Sequence, residues 1–243
     1  NFNFAANEKK TIHEAVEWAD IIHCFLPFAI EIEAKRYADK IGKPSTAAFH
    51  IQPQNLWSSV GLGKVDWIQN GTYISFRDFL YNKFRHIHAP SQFMADEIKQ
   101  RGYTAKIHVI SNGIQDAFLQ AGHRNLDEER PAKSPEFEGK LLIMMVGRLS
   151  AEKRQDVLIN AVPYSKYADK IQLVFAGQGP KHDEYVALGK ALPHPPQFVY
   201  KNQDELIALL SQSDLYVHAS DMESEAISCI EAFATGLVPV IAN

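Results

Sequence analysis

Short apolar runs alternate with amphipathic stretches along the whole chain. Continuous apolar runs of this length are typical of parallel strands in a sheet that is covered on both faces. In the first half they predict strands at residues 21–26, 45–49, 85–89 and 107–110. Helical spacing predicts helices over 28–41 and 91–101, where Gly42 and Gly102 follow as the kind of residue that ends a helix. Alternating strands and helices predict a doubly wound parallel sheet.

The same alternation returns in the second half after a stretch of different character. Ser111-Asn112-Gly113 is a turn signal, and a charged segment with two prolines follows it. The chain is therefore divided into a domain over 1–112, a linker region over 113–140 and a second domain over 141–243. Strands are predicted in the second domain at 141–146, 171–176, 197–200, 214–218 and 238–242, with helices near 153–163, 181–191, 203–212 and 224–235.

Composition is that of a globular protein with room for two domains. The chain has 243 residues, 46% of them hydrophobic and 22% charged, and a net charge of −4, which rules out disorder as the main theme and does not call for nucleic acid. Cys24 and Cys229 each lie in an apolar run, which favours reduced, buried thiols and a cytoplasmic protein. No apolar run is long enough to cross a membrane.

Three motifs in the second half occur in a recognisable order. They are Val146-Gly147-Arg148 with Lys153 five residues after the arginine, a Gly-x-Gly turn at Gly177, and Glu223 with Glu231 eight residues later. Together they resemble the donor-binding domain of the retaining glycosyltransferases of family four. Ser111-Asn112-Gly113-Ile114 resembles the crossing between the two domains of that family.

The resemblance implies an architecture and a reaction. The fold would be GT-B, with two Rossmann-like doubly wound domains facing a cleft. The reaction would move a hexose from a nucleotide diphosphate sugar, a UDP-sugar ahead of a GDP-sugar, to an acceptor hydroxyl with retention of configuration. The family's first strand with its glycine-rich loop and its last helices have no counterpart here, so the chain is expected to be a fragment, and its activity alone is not assumed.

Charge on the departing diphosphate has to be held by the protein. Arg148 at the end of a strand and Lys153 at the start of the next helix place two cations at the edge where open α/β sheets bind ligands. By resemblance, Glu223 accepts hydrogen bonds from sugar hydroxyls and Glu231 from ribose hydroxyls. The donor site is completed by Gly147, Gly177, Ser224 and by backbone N–H groups near Ala226 and Ile227 at a helix start.

Two features qualify this expected site. Many relatives have Gly-Phe-Gly after the first glutamate, whereas this chain has Ser224-Glu225-Ala226, which is less free to adopt a positive φ. No Asp-x-Asp and no cluster with metal-ligand spacing occurs, so no metal and no cofactor beyond the nucleotide sugar are expected. His50, after a predicted strand, matches a family histidine that points into the cleft and would orient and polarise the reacting groups.

The acceptor is the least defined part of this hypothesis. A glycan or a lipid-linked acceptor, as in the synthesis of cell-envelope glycans, fits the resemblance. Residues 73–85 combine aromatic residues at helical spacing with Arg77, Lys83 and Arg85. Two alternatives stay open, a helix lying on the anionic inner face of a membrane and a helix packing its aromatic face on the sheet.

Other functions also stay open. A sugar-binding protein without activity would share both domains but would not need Arg148, Lys153 and the two glutamates together. Another enzyme of the same fold, such as a phosphorylase or a sugar-nucleotide epimerase, would share the phosphate site and use other groups at the sugar.

Overall fold

The computed structural model describes residues 8–58, 62, 65–127 and 130–242. The chain divides into two compact units, Asn1–Asn112 and Gly113–Asn243. Each unit is an α/β structure with a parallel sheet, which confirms the predicted pair of Rossmann-like regions. The predicted domain ends at residues 1 and 243, and residues 128 and 129 of the predicted linker, lie outside the described residues.

The strands of the first unit and the helices predicted over 28–41 and 91–101 lie close to their predicted bounds. Its strands are β1 (Ile22–Cys24), β2 (Ser45–Ala48), β3 (His86–Ala89) and β4 (Lys106–Val109). Its helices are α1 (Lys9–Trp18), α2 (Ala29–Ile41), α3 (Pro53–Ser58), α4 (Asp66–Phe79) and α5 (Gln92–Gln100), and a 3₁₀ turn covers Tyr81–Lys83. Helix α2 ends at the predicted Gly42, with φ of 73°, whereas α5 is capped by Arg101 and Gly102, with φ of 76°, follows one residue later.

Strand order in this sheet is β1-β2-β3-β4, so every step along the chain goes in one direction. Right-handed crossovers in one direction place their helices on one face of the sheet. That face holds the core around Phe49, Ile87 and Ile98. The opposite face carries polar side chains such as His23 and His86, so the described strands are covered on one face, unlike the two-sided cover that their apolar runs predict.

Most of the aromatic side chains in segment 73–85 pack inward, as the second of its two alternatives expects. Tyr73, Tyr81 and Phe84 are buried in the core, and the Tyr73 and Phe49 rings stack with centroids 5.9 Å apart. Phe79 at the end of α4 is exposed. In the described ranges, no helix has both the length and the apolar character needed to cross a bilayer.

The second unit contains the remaining elements. Its strands are β5 (Leu141–Val146), β6 (Ile171–Ala176), β7 (Gln197–Val199), β8 (Leu215–His218) and β9 (Pro239–Ile241). Its helices are α6 (Asp116–Asp127), α7 (Gln155–Ala161), α8 (His182–Gly189), α9 (Gln203–Gln212) and α10 (Ile227–Ala234), with 3₁₀ turns at Pro135–Phe137, Ala151–Lys153 and Val162–Tyr164.

The second sheet has the order β7-β6-β5-β8-β9, which reverses between β5 and β8. Alternate residues of β5 therefore face two different cores. Met144 packs in the core with α6, α9 and α10, whereas Met145 packs in the core with α7 and α8. This unit is doubly wound, and its strand-order reversal is the place where such sheets bind ligands.

The predicted linker 113–140 is largely folded into the second unit, and its main element is α6. Phe118 and Ala121 are buried in that unit's core. A Cβ added to Gly122 would lie 1.8 Å from the Ala234 carbonyl oxygen, so the glycine allows α6 to pack closely against α10. The turn signal and prolines predicted a linker here, but the segment also has an amphipathic helix that tertiary packing stabilises.

Candidate functional site

Three strand ends of the second unit define the candidate site. In the parallel sheet, β5, β6 and β8 all end at one edge, and β5 and β8 are the neighbours at the strand-order reversal. The segments that follow Val146, Ala176 and His218 therefore share this edge. These are the segments that carry the three sequence motifs.

Two of the predicted donor-site glycines allow two of these segments to touch. Gly147 and Gly177 both have φ of 153°, a backbone conformation that residues with a Cβ rarely adopt. A Cβ on Gly177 would lie 2.0 Å from the Gly147 carbonyl oxygen. The Leu149 N–H donates to the Gln178 carbonyl at 3.0 Å, which fixes the two turns together.

The two predicted cations have different surroundings. Arg148 is exposed, and its guanidinium makes no hydrogen bond or ion pair within the described part of the chain. Lys153 is largely buried and pairs with Glu223 through Nζ and Oε1. Arg148 is thus exposed at the strand end, whereas Lys153 pairs with Glu223, the predicted sugar-binding carboxylate.

The helix expected to open at Lys153 begins two residues later. Lys153 ends a 3₁₀ turn, Arg154 is left-handed with φ of 56°, and α7 starts at Gln155. Arg154 is held in this strained conformation by ion pairs to Asp156 and Asp221, each at 3.3 Å or less. Lys153 therefore belongs to the loop at the sheet edge and not to the helix.

Hydrogen bonds join this loop to the one after β8. The Glu152 carbonyl accepts from the Asp221 N–H at 2.9 Å and from the Ser220 hydroxyl at 3.2 Å. Both Asp221 oxygens lie 3.2 Å from Arg154 Nη1. These contacts fix the loops that carry Lys153 and Glu223 with respect to each other.

Glu223 lies between two nitrogen groups. Its Oε1 atom pairs with Lys153 Nζ and lies 3.0 Å from His218 Nε2. Burial raises the pKa of Glu223, but hydrogen bonding and charge from His218 and Lys153 outweigh it, and the pKa falls to about 2. Glu223 is therefore an anion at every physiological pH.

Helix α10 begins three residues later than expected. Ala226 is left-handed, with φ of 57°, and Ile227 is the first helical residue. Ala226 therefore has a positive φ although it is not glycine, the residue that the resemblance leads one to expect after the first glutamate. A left-handed alanine is strained. Glu231 is consequently the fifth residue of α10, little more than one turn along, where two turns were expected.

Glu231 has surroundings that differ from those of Glu223. It is half-buried, and its carboxylate makes no hydrogen bond or ion pair with the described residues. Burial raises the pKa of its carboxyl group. A half-buried carboxylate with this environment is well prepared to accept hydrogen bonds from a ligand's hydroxyl groups.

His50 lies in the first unit, two residues after the end of β2. Its ring stacks on Phe25 with centroids 4.6 Å apart and meets His88 edge-on at 5.1 Å. The histidine is thus fixed among other aromatic rings of its own unit.

Sequence reasoning missed His218. It placed a strand over 214–218 but gave no role to this histidine, whose side chain is only 4% exposed and faces Glu223. A signal was present, since His218 is the last residue of β8 at the predicted ligand edge. In the described ranges, no group of three or more His, Cys, Asp or Glu side chains is arranged to hold a metal ion.

Comparison with known proteins divides the chain in a similar way. The family model Glycosyltransferase Family 4 matches residues 2–118, and the model Glycosyl transferases group 1 matches residues 127–243. The first match covers most of the first unit, and the second contains all three donor-site motifs.

Individual relatives are distant. The alpha-monoglucosyldiacylglycerol synthase of Streptococcus pneumoniae is 25% identical over 237 residues, which cover 92% of this chain and 52% of that protein. The GDP-mannose-dependent alpha-mannosyltransferase of Corynebacterium glutamicum is 26% identical over 228 residues, 91% of this chain and 50% of that protein. The chain thus spans about half the length of these curated relatives.

Solved structures share the fold. Anabaena HepE in complex with UDP and glucose matches with a TM-score of 0.71 and 17% identity, over 96% of this chain and 61% of HepE. HepE with UDP-glucose matches with the same TM-score and 18% identity. At this identity the match establishes the two-domain GT-B fold.

Proposed function

Because the chain belongs to the group 1 glycosyltransferases with a family 4 region at its N-terminal side, we propose that the full-length protein transfers a hexose from a nucleotide diphosphate sugar to an acceptor hydroxyl with retention of configuration. The observation that carries the proposal is the meeting of Lys153 and Glu223 at the strand-order reversal, beside the exposed Arg148. Such an arrangement suits a ligand with both a diphosphate and hydroxyl groups.

Each group has a task that its surroundings support. Arg148 and Lys153 hold the diphosphate, and their hydrogen bonds strengthen as charge develops on the leaving group. The N–H groups at Ala226 and Ile227, where α10 begins, face the diphosphate as well, with Ser224 beside them. Glu223 then binds sugar hydroxyls and Glu231 binds ribose hydroxyls.

The reaction itself needs no protein nucleophile in this proposal. As the bond between the sugar and the phosphate breaks, a phosphate oxygen of the leaving group takes the proton of the attacking acceptor hydroxyl. His50 orients and polarises the reacting groups from the first unit. Arg148 and Lys153 supply the positive charge that a metal ion would otherwise supply, so we propose that transfer is independent of metal ions.

For the donor we propose a UDP-sugar. The relative from Corynebacterium is named for GDP-mannose, whereas HepE binds UDP and UDP-glucose, so both nucleotides belong in the test. For the acceptor we propose a glycan or a glycolipid. The relative from Streptococcus is named for a glucosylated diacylglycerol, which supports a lipid-linked acceptor.

We also propose a cytoplasmic protein with peripheral contact to the inner face of the membrane. Both cysteines are free and buried, which fits a reducing compartment. In the segment 73–85, Ile74 and Phe79 are the large apolar side chains that remain exposed. Binding of the full-length protein to anionic vesicles, with Phe79→Ala as the variant and the exposed Phe93→Ala as its control, tests the membrane contact.

The enzymatic proposal is tested by nucleotide release from a panel of sugar donors. Full-length protein is incubated with UDP-glucose, UDP-galactose, UDP-N-acetylglucosamine or GDP-mannose, and free UDP or GDP is measured. We expect release from one UDP-sugar, and a loss of about 10²- to 10³-fold in kcat for Arg148→Ala, because a charge-stabilising group is removed. Glu231→Ala is expected to weaken nucleotide binding.

Matched controls come from the same unit. Lys190→Ala and Glu136→Ala remove an exposed cation and an exposed carboxylate away from the sheet edge, and both are expected to behave like the wild type. Stabilisation by a free sugar but by no nucleotide would indicate a sugar-binding protein instead. If neither Arg148→Ala nor Glu231→Ala changes nucleotide binding, the assigned site is wrong.

A further inference from the structure

His218 is a buried histidine that no step of the proposed reaction uses. It is the last residue of β8, its side chain is 4% exposed, and its Nε2 atom lies 3.0 Å from Glu223 Oε1. Both ring nitrogens are buried, and neither completes a well-formed hydrogen bond among the described residues, although Nε2 is within reach of the carboxylate. A buried polar group without a satisfied hydrogen bond destabilises the fold and needs an explanation.

The competition for a single oxygen atom supplies the explanation. Lys153 Nζ and His218 Nε2 both approach Oε1 of Glu223. Lys153 is on a loop with a long, flexible side chain, whereas the His218 ring is held in a strand against Tyr216, with ring centroids 6.3 Å apart. One donor can leave the carboxylate, and the other cannot.

Under the proposed function, Lys153 is also a ligand of the diphosphate. When the diphosphate enters, its negative charge attracts Lys153 away from Glu223. The carboxylate then turns fully to the stationary Nε2–H group and satisfies that nitrogen. Nδ1 has no hydrogen-bond partner among the described residues, so Nε2 is the ring nitrogen whose N–H can reach the carboxylate.

We propose that His218 is the positioning residue of Glu223: it holds this carboxylate toward the sugar once Lys153 has moved to the diphosphate. The inference rests on the proposed function, because it assigns the sugar to Glu223 and the diphosphate to Lys153. His218 touches neither ligand and acts through the carboxylate alone. Its effect is therefore on the use of the sugar and not on the affinity for the nucleotide.

Kinetics of the full-length protein with UDP-glucose, or the UDP-sugar that proves active, test this role. His218→Leu keeps a side chain of similar size and removes the Nε2–H donor. We expect a loss of about 10- to 100-fold in kcat with the Kd for UDP unchanged. His218→Gln restores an N–H donor and is expected to recover most of the rate. His123→Gln, at an exposed position of α6, is the matched control.

A double-mutant cycle separates positioning from a general structural role. In a Glu223→Gln background, His218→Leu is expected to cause little further loss, since the carboxylate it positions is gone. A full additional loss there would overturn the inference. Wild-type kinetics for His218→Leu, or a folded His218→Gln variant that stays as slow as His218→Leu, would overturn it as well.

Imidazole ¹⁵N chemical shifts give a test that does not depend on a folded His218 variant. With UDP added to the wild-type protein, we expect the His218 Nε2 resonance to shift as its hydrogen bond to Glu223 forms, and no such shift in Glu223→Gln. If UDP binds and the His218 resonance does not change, the inference about His218 is wrong and the proposed function is unaffected. Absence of binding and turnover with all nucleotides overturns the proposed function, and the role of His218 with it.

Discussion

Glu223 and Glu231 are both carboxylates of the expected donor site, and the fold gives them opposite electrostatic environments. Glu223 has Lys153 and His218 beside its Oε1 atom. Glu231 is half-buried without a partner among the described residues. Both residues are glutamates of one sequence motif, yet the fold lowers the pKa of Glu223 and raises the pKa of Glu231.

The stability of Glu223→Gln should depend on pH. The pKa of Glu223 is about 2 in the folded protein and 4.5 ordinarily, so its charge stabilises the fold above pH 4.5, and the contribution is lost as pH falls toward 2. We expect Glu223→Gln to lower the free energy of unfolding at pH 7 by about 2 kcal/mol, with the difference from wild type shrinking below pH 4.5. Denaturant unfolding at several pH values measures it.

Glu231→Gln is the matched comparison because the pKa of Glu231 is shifted in the direction opposite to that of Glu223. Burial raises the pKa of Glu231, so ionisation destabilises the fold as pH rises. The variant should therefore be at least as stable as wild type at pH 7. Equal losses of stability for both variants at pH 7, or a loss in Glu223→Gln that does not change with pH, would contradict these environments.

At the scale of elements, the closest fit is between the turn after β5 and the turn after β6. Gly177 touches the Gly147 backbone, and a Cβ on Gly179 would lie 2.2 Å from the Leu149 carbonyl oxygen. The Gly-x-Gly motif is therefore a packing requirement between two loops, in addition to any contact with a donor. This contact keeps Arg148 at the strand end.

Gly177→Ala should destabilise the second unit strongly. Its Cβ would lie 2.0 Å from a backbone oxygen at a φ of 153°, and overpacking costs about 1–3 kcal/mol in addition to the backbone strain. Gly139→Ala is the control, since Gly139 has a φ of 72° but open space around its Cβ position, and only about 1–2 kcal/mol of strain is expected. Thermal or denaturant unfolding that ranks the two variants equally would show that the close contact is absent.

Element existence was largely predictable from the sequence. The nine strands of the described residues lie within the predicted runs or within one residue of them, because a buried parallel strand needs a continuous apolar run. Helices α3 and α6 were not predicted, and α4 begins seven residues before the aromatic segment 73–85. For α6 the reason is that packing against α10 decides it. The starts of α7 and α10 were also misplaced, because left-handed residues at Arg154 and Ala226 are stabilised by contacts distant in sequence.

At the scale of the whole molecule, the cations Arg148 and Lys153 replace a metal ion in the proposed mechanism. We expect sugar-nucleotide turnover by the full-length protein to be unchanged after treatment with EDTA and removal of the chelator–metal complex. Measurement of UDP release before and after treatment checks this. Activity that disappears with EDTA and returns with Mg²⁺ or Mn²⁺ would show that the two cations are insufficient.

The sequence by itself determined the two α/β units and the family, and it supplied the residues of the predicted donor motifs, because apolar periodicity and short motifs are local properties of the chain. Tertiary structure alone decided which charges meet. The pairing of Lys153 with Glu223 joins positions 70 residues apart, and the approach of His218 to the same oxygen depends on the strand order β5-β8. Strand order is fixed by packing of the whole sheet, so no local pattern could reveal that one carboxylate has two competing partners.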